Sequence, residues 1–249
     1  MPGSDVKAFP LSHDELVAEF RPNIHFRHFT PEATVRNVNI AIDDYTARLD
    51  LFNTVINDKS PVNVDPFLHA MLRMSTVANG YLINSIARRL NPGSVYLNVG
   101  TFEGYSLFCG MAGNEGVQCI GVDNFSQFGG PKEKFFQGYR RYKNKQSSFF
   151  NMDYVKYFKE YHKLPIGFYF YDGPHDYENQ RNGLVVAEPY FCKDTLILVD
   201  DTNGDVVRNA TLDFIAGRTD KYRILLDEKT AGNEHPTFWN GLMLIGHNG

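Results

Sequence analysis

Four side chains suited to acid–base or metal chemistry directly follow two apolar runs of the sequence. Asp172 and His175 come after "IGFYFY", and Asp200 and Asp201 close the run "TLILVDD". A histidine titrates near neutral pH and suits general-base work, and carboxylate oxygens are the ligands that Mg²⁺ prefers. We therefore predict that His175 and Asp172 act in catalysis, and that Asp172, Asp200 and Asp201 bind a divalent cation, in the first place Mg²⁺.

The same four residues allow a plainer interpretation. His175 could instead orient a neighbouring aspartate near the start of a helix, and Asp172 and Asp200 could make ordinary polar contacts with a cofactor or with loop backbone. The cation is favoured because carboxylates at the ends of two neighbouring strands repel each other unless something neutralises them. No Lys or Arg adjoins either motif before Arg181 or Arg208.

A second motif, "YLNVGTFEGYSLFCG" at residues 96–110, runs from a strand-like stretch through two glycines into a helix-like stretch. A strand, a glycine turn and a helix present free backbone N–H groups at the carboxyl edge of a sheet, where α/β proteins bind ligands. The spacing of Gly100 and Gly104 differs from the G-x-G-x-x-G of dinucleotide binders, so a nucleotide without a diphosphate fits better. Asp123, which closes "CIGVD", can accept two hydrogen bonds from a ribose diol. Together the motifs predict an adenosine-containing ligand, although a tight turn and a helix cap would also explain them.

Elements that could position these residues alternate after Gly93. Short apolar runs and amphipathic stretches take turns, which predicts a doubly wound, Rossmann-like α/β fold with a mostly parallel seven-stranded sheet and an antiparallel last strand. Before residue 91 the apolar spacing is helical, as in "IAIDDYTARLDLF" and in residues 66–90. We predict a helical extension or lid at residues 1–90 and a ligand-binding domain at residues 91–249. Strands are predicted to begin at Val95, Val117, Ser147, Ile166, Thr195, Tyr222 and Gly241, and helices lie near 104–113, 132–145, 176–188 and 205–218.

Composition excludes several classes of protein. The net charge of −4 is mild, and the basic residues of "YRRYKNK" fall on the outer face of an aromatic helix, so we expect no nucleic-acid partner. No window resembles a membrane span or a signal peptide, so we expect no membrane association. The three cysteines are an odd number without C-x-x-C spacing, in apolar settings that suggest buried thiols. The interpretation that fits these features is a cytoplasmic protein.

From about Leu90 onward, the chain resembles the class I S-adenosylmethionine-dependent methyltransferases. The resemblance is carried by "NVGTFEGYSLFCG", "IGVDNF", "FYFYDGPHDYENQRNGL" and "LILVDD". The pattern D-G-x-H-x-Y-E followed by D-D is similar to the small O-methyltransferase branch that includes macrocin-type sugar O-methyltransferases. Two positions depart from that branch: Asn98 replaces a common acidic residue, and Pro174 replaces a second Asp that often serves as base.

The resemblance implies S-adenosylmethionine as cofactor, a small-molecule acceptor and, as in related enzymes, self-association into a homo-oligomer. Carried over by position, it implies a set of cofactor-binding residues in which Asp123 would contact the ribose and Asp153 the adenine. That set is Asn98, Gly100, Thr101, Glu103, Gly104, Ser106, Asp123, Asp153 and Asp172.

The function expected from the sequence is transfer of a methyl group to a hydroxyl of a sugar or a phenol, with assistance from Mg²⁺. A poorly acidic hydroxyl needs a base or a metal for this displacement, whereas positioning suffices for an acidic phenol. Two other functions stay open at this point. One is an NAD-linked oxidoreductase, which the missing third glycine disfavours, and the other is a non-catalytic protein that binds an adenosyl ligand on the same fold.

Overall fold

A twisted sheet of seven strands organises the protein. The structure is a computed structural model, and it describes residues 12–26, 34, 53–55 and 59–248. The strands of this sheet are β3 (Val95–Val99), β4 (Gln118–Val122), β5 (Ser148–Phe150), β6 (Ile166–Tyr171), β7 (Phe191–Asp200), β8 (Tyr222–Glu228) and β9 (Leu242–His247). Two further strands, β1 (Ile24–Phe26) and β2 (Asn53–Val55), form a separate antiparallel pair.

The strand order is β5-β4-β3-β6-β7-β9-β8. Strands β5, β4, β3, β6 and β7 are parallel neighbours, whereas β9 runs antiparallel to both β7 and β8. The predicted doubly wound sheet with an antiparallel last strand is therefore confirmed. The chain reverses its winding direction beside β3, and this switch point opens a crevice at the carboxyl ends of the strands, where ligands bind in such folds.

The central strands are buried on both faces because helices cover the sheet from both sides. Every residue of β3 is buried, and its side chains alternate between two hydrophobic cores. Tyr96 packs into the core that includes α4, whereas Leu97 packs into the core on the opposite side of the sheet. Because β3, β4, β6 and β7 run parallel, their carboxyl ends lie at one common edge of the sheet.

The helices confirm the sequence pattern with two differences. One helix, α7, was not predicted, and its start is set by Asp153, whose carboxylate accepts the backbone N–H groups of Val155 and Lys156. The helix predicted at residues 66–90 is interrupted, because Met71 is extended and Thr76 caps a new helix through the N–H of Asn79. The helices are α1 (His13–Phe20), α2 (Pro61–Val64), α3 (Pro66–Ala70), α4 (Val77–Ala87), α5 (Tyr105–Met111), α6 (Lys132–Tyr142), α7 (Tyr154–Glu160), α8 (Tyr177–Ala187) and α9 (Asp205–Ile215).

The N-terminal helices share a core with the sheet. Leu16 and Phe20 of α1 and Leu82 of α4 belong to the same buried cluster as Tyr96 of β3. Inside α4, the amide of Asn84 donates hydrogen bonds to the carbonyls of Cys109 and Ala112, at distances of 2.6 and 2.8 Å, and so fixes α4 against the end of α5. The predicted helix at residues 40–52 and most of the predicted lid lie outside the described residues.

The structure also bears on membrane-spanning helices and on the three cysteines. None of the helices within the described ranges is long and apolar enough to cross a membrane. Cys109 and Cys119 are free and buried as expected, and burial raises the pKa of each thiol to about 12. Cys192 is only partly buried, because the first residues of β7 lie toward the solvent-exposed end of the strand.

Candidate active site

A cavity of about 570 Å³ opens at the carboxyl ends of β3, β4, β6 and β7. A volume of this size suits a small-molecule ligand. Its wall brings together most of the residues that the sequence singled out, although they are separated by up to a hundred positions along the chain. Those residues are Gly100, Asp123, Asp153, Asp172, His175, Asp200 and Asp201.

The glycine turn after β3 lies directly against the end of β6. Gly100 has a φ of +79°, and a Cβ atom at this position would lie 1.8 Å from the backbone oxygen of Asp172. Only glycine therefore fits, both for its backbone conformation and for the contact. Phe102, two residues on, also adopts a positive φ of 48° and contributes to the cavity wall. The turn brings bare backbone to the cavity, as the sequence motif predicts.

Asp123 at the end of β4 holds this turn in shape. Its Oδ2 accepts the backbone N–H groups of Thr101 at 2.7 Å and Phe102 at 3.0 Å, and also the Thr101 hydroxyl at 3.1 Å. Its Oδ1 accepts the N–H of Phe125 at 2.7 Å. The sequence suggested a ribose contact or a helix cap for Asp123, and the structure adds that this carboxylate organises the loops that follow β3 and β4.

The remaining residues of the glycine motif lie behind the turn rather than in the described cavity wall. Glu103 is buried and pairs with Lys134 of α6 at 2.9 Å. The Ser106 hydroxyl donates to Oδ1 of Asn98 at 2.8 Å, and the Asn98 amide donates to the carbonyl of Gly100 at 2.9 Å. Asn98, Glu103 and Ser106 thus support the turn from within the protein, and a direct contact with a cofactor stays a prediction for them.

Two further predicted cofactor residues have clear structural roles. Gly104 precedes α5 with a φ of +106°, and a Cβ atom there would overlap the ring of Phe108 at 2.2 Å. Asp153 caps α7 and also lines the cavity, next to Met152 and Tyr154. The predicted contact between Asp153 and adenine therefore concerns a residue on the cavity wall, whereas Gly104 acts through the shape of the backbone.

The acidic residues after β6 and β7 meet around His175. Nε2 of His175 lies 3.2 Å from Oδ2 of Asp201 and 3.5 Å from Oδ1 of Asp172. Asp201 reaches this position because its backbone turns at the strand end, with a φ of 58°. The sequence prediction that both aspartates of the D-D pair approach one site is consistent with this turn, since Asp200 and Asp201 both line the cavity.

The pKa shifts of this group reflect burial first and the neighbouring charges second. Burial, with smaller contributions from Asp201 and Asp123 and against the opposing effect of His175, raises the pKa of Asp172 to about 6. Burial and the charges of Asp172 and Asp201 also raise the pKa of Asp200 well above its usual value. Burial lowers the pKa of His175, but the hydrogen bond and charge of Asp172 and the charge of Asp201 outweigh it and raise that pKa.

Asp200 has a buried carboxylate oxygen without a hydrogen-bond partner among the described residues. The residue is 4% exposed, and the oxygen is Oδ1. An unpartnered buried carboxylate oxygen is costly, and a cation with oxygen ligands would satisfy it. The donor chemistry of Asp172, Asp200 and Asp201 therefore suits Mg²⁺, but the part of the chain that the structure describes contains no ready-made group of three metal ligands.

The opposite wall of the cavity was not identified from the sequence. It consists of Leu72 and Met74 before α4, and of Glu234 and Trp239 in the loop between β8 and β9. This loop is fixed by Asn203, whose amide donates to the Thr230 hydroxyl at 2.6 Å and accepts the Thr230 N–H at 3.1 Å. Asn203 follows the D-D pair in "DDTN", so the sequence does contain a signal for a polar anchor at this point.

Comparison with protein families finds a match for the central part of the chain. Residues 97–202, which run from β3 to just past β7, match the family described as a methyltransferase domain. The match includes both the glycine turn and the carboxylates after β6 and β7. No curated protein sequence matches the chain significantly.

Solved structures share the fold at low sequence identity. The O-methyltransferase from Bacillus cereus in complex with SAH is 15% identical, with a TM-score of 0.54 over 84% of this chain and 93% of that chain. Cofactor-bound Rv0187 from MTB is 14% identical, with a TM-score of 0.56 over 84% of this chain and 93% of that one. The O-methyltransferase NovP is 12% identical, with a TM-score of 0.53 over 70% and 81% of the two chains.

Proposed function

We propose that the protein is a class I S-adenosylmethionine-dependent methyltransferase that transfers the methyl group to a hydroxyl oxygen of a small molecule, in line with the match of residues 97–202 to the methyltransferase domain family. The observation that carries this proposal is the meeting of His175 with Asp172 and Asp201 in the same cavity as the Gly100 turn. The backbone of the Gly100 turn would bind the cofactor, and the neighbouring base and carboxylates would bind the acceptor.

On the cofactor side, we propose that the turn at Gly100 approaches the methionine and ribose portion and that Asp123 and Asp153 face the nucleoside. This proposal is supported by the close contact at Gly100, where a Cβ atom would collide with the backbone of Asp172. It also rests on the loop contacts of Asp123, which hold the backbone N–H groups of residues 101 and 102 in place before a ligand arrives. Such preorganisation lowers the entropy cost of binding.

On the acceptor side, His175 is the proposed base. Methyl transfer is an in-line displacement in which the acceptor hydroxyl loses its proton, and an imidazole suited to this task must lie within hydrogen-bond reach of that hydroxyl. His175 lines the cavity, and its Nε2 is the ring nitrogen beside Asp172 and Asp201. The neighbouring carboxylates stabilise the imidazolium that forms when the proton is taken up.

We further propose that Asp172, Asp200 and Asp201 hold Mg²⁺. The support is the unpartnered Oδ1 of Asp200 and the raised pKa values of Asp172 and Asp200, which arise first from burial and to a smaller extent from the neighbouring carboxylates. When bound, Mg²⁺ acts as a Lewis acid that lowers the pKa of a hydroxyl. Within the chain itself, these carboxylates orient His175 and keep the acceptor end of the cavity acidic.

The experiment that tests this function begins with cofactor binding and ends with turnover. Calorimetry with S-adenosylhomocysteine and with NAD on the same preparation should show binding of the first and none of the second. A panel of sugars and phenols should then be screened for methyl transfer from labelled S-adenosylmethionine, with Mg²⁺ and after EDTA. Binding of NAD in place of the adenosyl ligand would support an oxidoreductase instead.

The variants sharpen this test. His175→Ala should reduce turnover by about 10²- to 10⁴-fold, the range for a lost general base, while leaving the affinity for S-adenosylhomocysteine nearly unchanged. Full activity of His175→Ala would remove the proposed base. Activity that survives both EDTA and Asp200→Asn would remove the cation, and binding without turnover on any hydroxylated acceptor would favour a non-catalytic binding protein.

A further inference from the structure

Large apolar side chains line the cavity and remain exposed to solvent. Leu72 is 43% exposed, Met74 37% and Phe128 64%, and all three belong to the cavity wall. Exposed apolar surface is unfavourable in water, and where it gathers in a concave wall it marks a surface that a ligand covers. These side chains indicate that this part of the cavity binds an apolar group.

The only tryptophan of the chain, Trp239, belongs to the same wall. Its backbone is held at a φ of 58°, a conformation that is unfavourable for a bulky residue. Two hydrogen bonds hold it there: the N–H of Trp239 donates to the carbonyl of His235, and the N–H of His235 donates to the carbonyl of Trp239, both at 3.0 Å. An aromatic residue that is fixed in a strained conformation at a cavity wall points to a role in ligand contact.

The two segments that form this wall are tied to each other. The Thr76 hydroxyl, at the start of α4, donates to the carbonyl of Thr237 at 2.7 Å, although the two residues are distant in the sequence. The Tyr105 hydroxyl donates to the carbonyl of Thr76 at 3.2 Å, which connects the wall to the helix that follows the glycine turn. The wall is therefore in place before a ligand arrives, which lowers the entropy cost of binding.

Polar side chains of this wall make hydrogen bonds within the protein. Arg73 is buried, and its Nη1 donates to the carbonyls of Leu68 at 3.2 Å and His69 at 2.9 Å. Oδ1 of Asn233 accepts the N–H of Glu234 at 2.8 Å. A sugar carries several hydroxyls, and each needs a hydrogen-bond partner when it leaves water. A wall of apolar side chains, with polar groups already engaged inside the protein, suits an aromatic ring better than a sugar.

We propose that Leu72, Met74 and Trp239 form the acceptor subsite and that the acceptor is a flat aromatic compound carrying the hydroxyl, a phenol rather than a sugar. The inference rests on the proposed function, since the acceptor is the molecule whose hydroxyl would reach His175. It adds to that function the chemical class of the acceptor. The ring of a phenol buries apolar surface against Leu72 and Met74 and packs with the indole face or edge of Trp239.

Trp239 provides the test, because the fluorescence of the only tryptophan reports on this wall. The full-length protein, with and without S-adenosylhomocysteine, is titrated with para-ethylphenol, para-ethylcyclohexanol and methyl glucoside, and calorimetry measures each affinity. The cyclohexanol is the matched probe, because it has the same carbon skeleton and hydroxyl without a flat ring. We expect para-ethylphenol to change the Trp239 emission saturably and to bind at least about threefold more tightly than the cyclohexanol, the effect of one aromatic pair. Methyl glucoside should change nothing.

Variants of the wall separate ligand contact from a structural role. Met74→Ser should weaken the affinity for para-ethylphenol by at least about threefold, because apolar contact is lost, and should bind S-adenosylhomocysteine as the wild type does. Ile224→Ser is the matched control, since Ile224 is also 37% exposed but lies on β8 outside the cavity wall. Trp239→Phe keeps a ring and should keep the preference for the phenol, whereas Trp239→Leu should bring the two affinities together. Leu72→Ser repeats the measurement if Met74→Ser folds poorly.

The outcomes distinguish this inference from the proposed function. Equal affinities of the wild type for the phenol and the cyclohexanol would overturn the aromatic class, as would preferential binding of methyl glucoside. Trp239 emission that responds to protein concentration but not to the phenol would show that a second copy of the chain covers the wall, and would overturn the subsite. Phenol binding that depends on Met74, in a protein that transfers no methyl group to any acceptor, would refute the proposed function and leave the subsite intact. Methyl transfer to a glycoside and to no phenol would do the reverse.

Discussion

Nε2 of His175 lies between two carboxylates, 3.2 Å from Oδ2 of Asp201 and 3.5 Å from Oδ1 of Asp172. An imidazolium at this point neutralises part of the negative charge that the ends of β6 and β7 bring together. The imidazolium does not compensate all of this charge, because Oδ1 of buried Asp200 has no hydrogen-bond partner in the described part of the chain. The first prediction concerns this residual charge.

Removing the charge of Asp200 should stabilise the cation-free protein. The folded pKa of Asp172 is raised to about 6 from 3.8, and that of Asp200 is raised as well. The folded state therefore holds these protons more tightly than the unfolded chain does, so stability falls as the pH rises from about 4 through 6. Above pH 7, in EDTA, Asp200→Asn should raise the melting temperature by a few degrees, the shift for about 1 kcal/mol in a chain of this size.

Melting curves with and without Mg²⁺ complete this experiment. Mg²⁺ should raise the melting temperature of the wild type and have little effect on Asp200→Asn, because binding to the folded state alone is stabilising. Asp220→Asn is the matched control, since it removes an equal charge from an exposed position. An equal Mg²⁺ shift in the wild type and in Asp200→Asn would mean that Asp200 is not a ligand.

The second prediction concerns Asp123 and the affinity for the cofactor. Asp123→Ala removes the acceptor for the N–H groups of residues 101 and 102 together with any contact to ribose. We expect the affinity for S-adenosylhomocysteine to fall by roughly 1.5–3 kcal/mol, the range for hydrogen bonds to a charged group. Calorimetry on the folded variant measures this loss directly.

Asp176→Ala is the control for Asp123→Ala. Asp176 also accepts backbone and side-chain hydrogen bonds, from Asn179, but it caps α8 outside the cavity wall. The Asp176→Ala variant should lose about 1 kcal/mol of unfolding free energy, as expected for a lost N-cap, and should bind the cofactor as tightly as the wild type. Equal affinities for the wild type and Asp123→Ala would show that neither the turn nor the ribose depends on this carboxylate.

The third prediction separates backbone strain from collision at the glycine turn. Gly93 and Gly100 both have positive φ angles, +88° and +79°, but a Cβ atom meets nothing within 4 Å at Gly93 and lies 1.8 Å from the Asp172 oxygen at Gly100. Gly93→Ala should cost only the strain, about 1–2 kcal/mol. Gly100→Ala should cost a further 1–3 kcal/mol, roughly the penalty of overpacking, and should also weaken cofactor binding.

Urea unfolding measures both glycine variants, and calorimetry measures their affinity for S-adenosylhomocysteine. Gly93 lies in the turn before β3, away from the cavity, so Gly93→Ala should bind the ligand as the wild type does. Similar stability losses for the two variants would indicate that the turn at Gly100 can shift away from β6 and that the close contact is not essential.

The strands of the sheet could be predicted from the sequence because the signals for a strand are local. Each buried strand is a short apolar run, and the antiparallel β9 was indicated by the missing helix after β8. The additional helix α7 was missed because Asp153 was interpreted as a ligand contact, although aspartate followed by a helical stretch is also a cap. The break before α4 was missed because the apolar spacing continues through residues 71–76, and periodicity alone does not reveal an extended turn.

The site was predictable to the extent that it lies at strand ends. Asp172, Asp200 and Asp201 meet because parallel neighbours end at one edge, which the strand order implies. The contact between His175 and Asp201 depends on the positive φ of Asp201, and the wall formed by Trp239 depends on how Asn203 holds a distant loop. Such contacts come from tertiary packing, and a single sequence contains no periodic signal for them.

The last prediction concerns His162, a buried histidine that is not part of the cavity wall. His162 is 1% exposed, lies beside the rings of Phe158 and Tyr190, and shares a 2.8 Å hydrogen bond between its Nδ1 and the Tyr157 hydroxyl. Burial, with a minor contribution from Lys163 and against a hydrogen bond with the Leu164 backbone, lowers the pKa of His162 from 6.5 to about 4. Between these values the unfolded chain binds a proton that the folded protein does not, so stability falls as the pH drops from 6.5 to 4, by at most about 1.4 kcal/mol per pH unit. Asp172 and Asp200 act in the opposite direction over part of this range, so the effect must be read as a difference between variants.

In His162→Phe, the free energy of unfolding measured with urea should fall less steeply as the pH drops from 6.5 to 4. His25→Gln, which changes an exposed histidine, should show the same pH dependence as the wild type. An unchanged slope in His162→Phe would mean that His162 binds its proton equally well in the folded and unfolded chains.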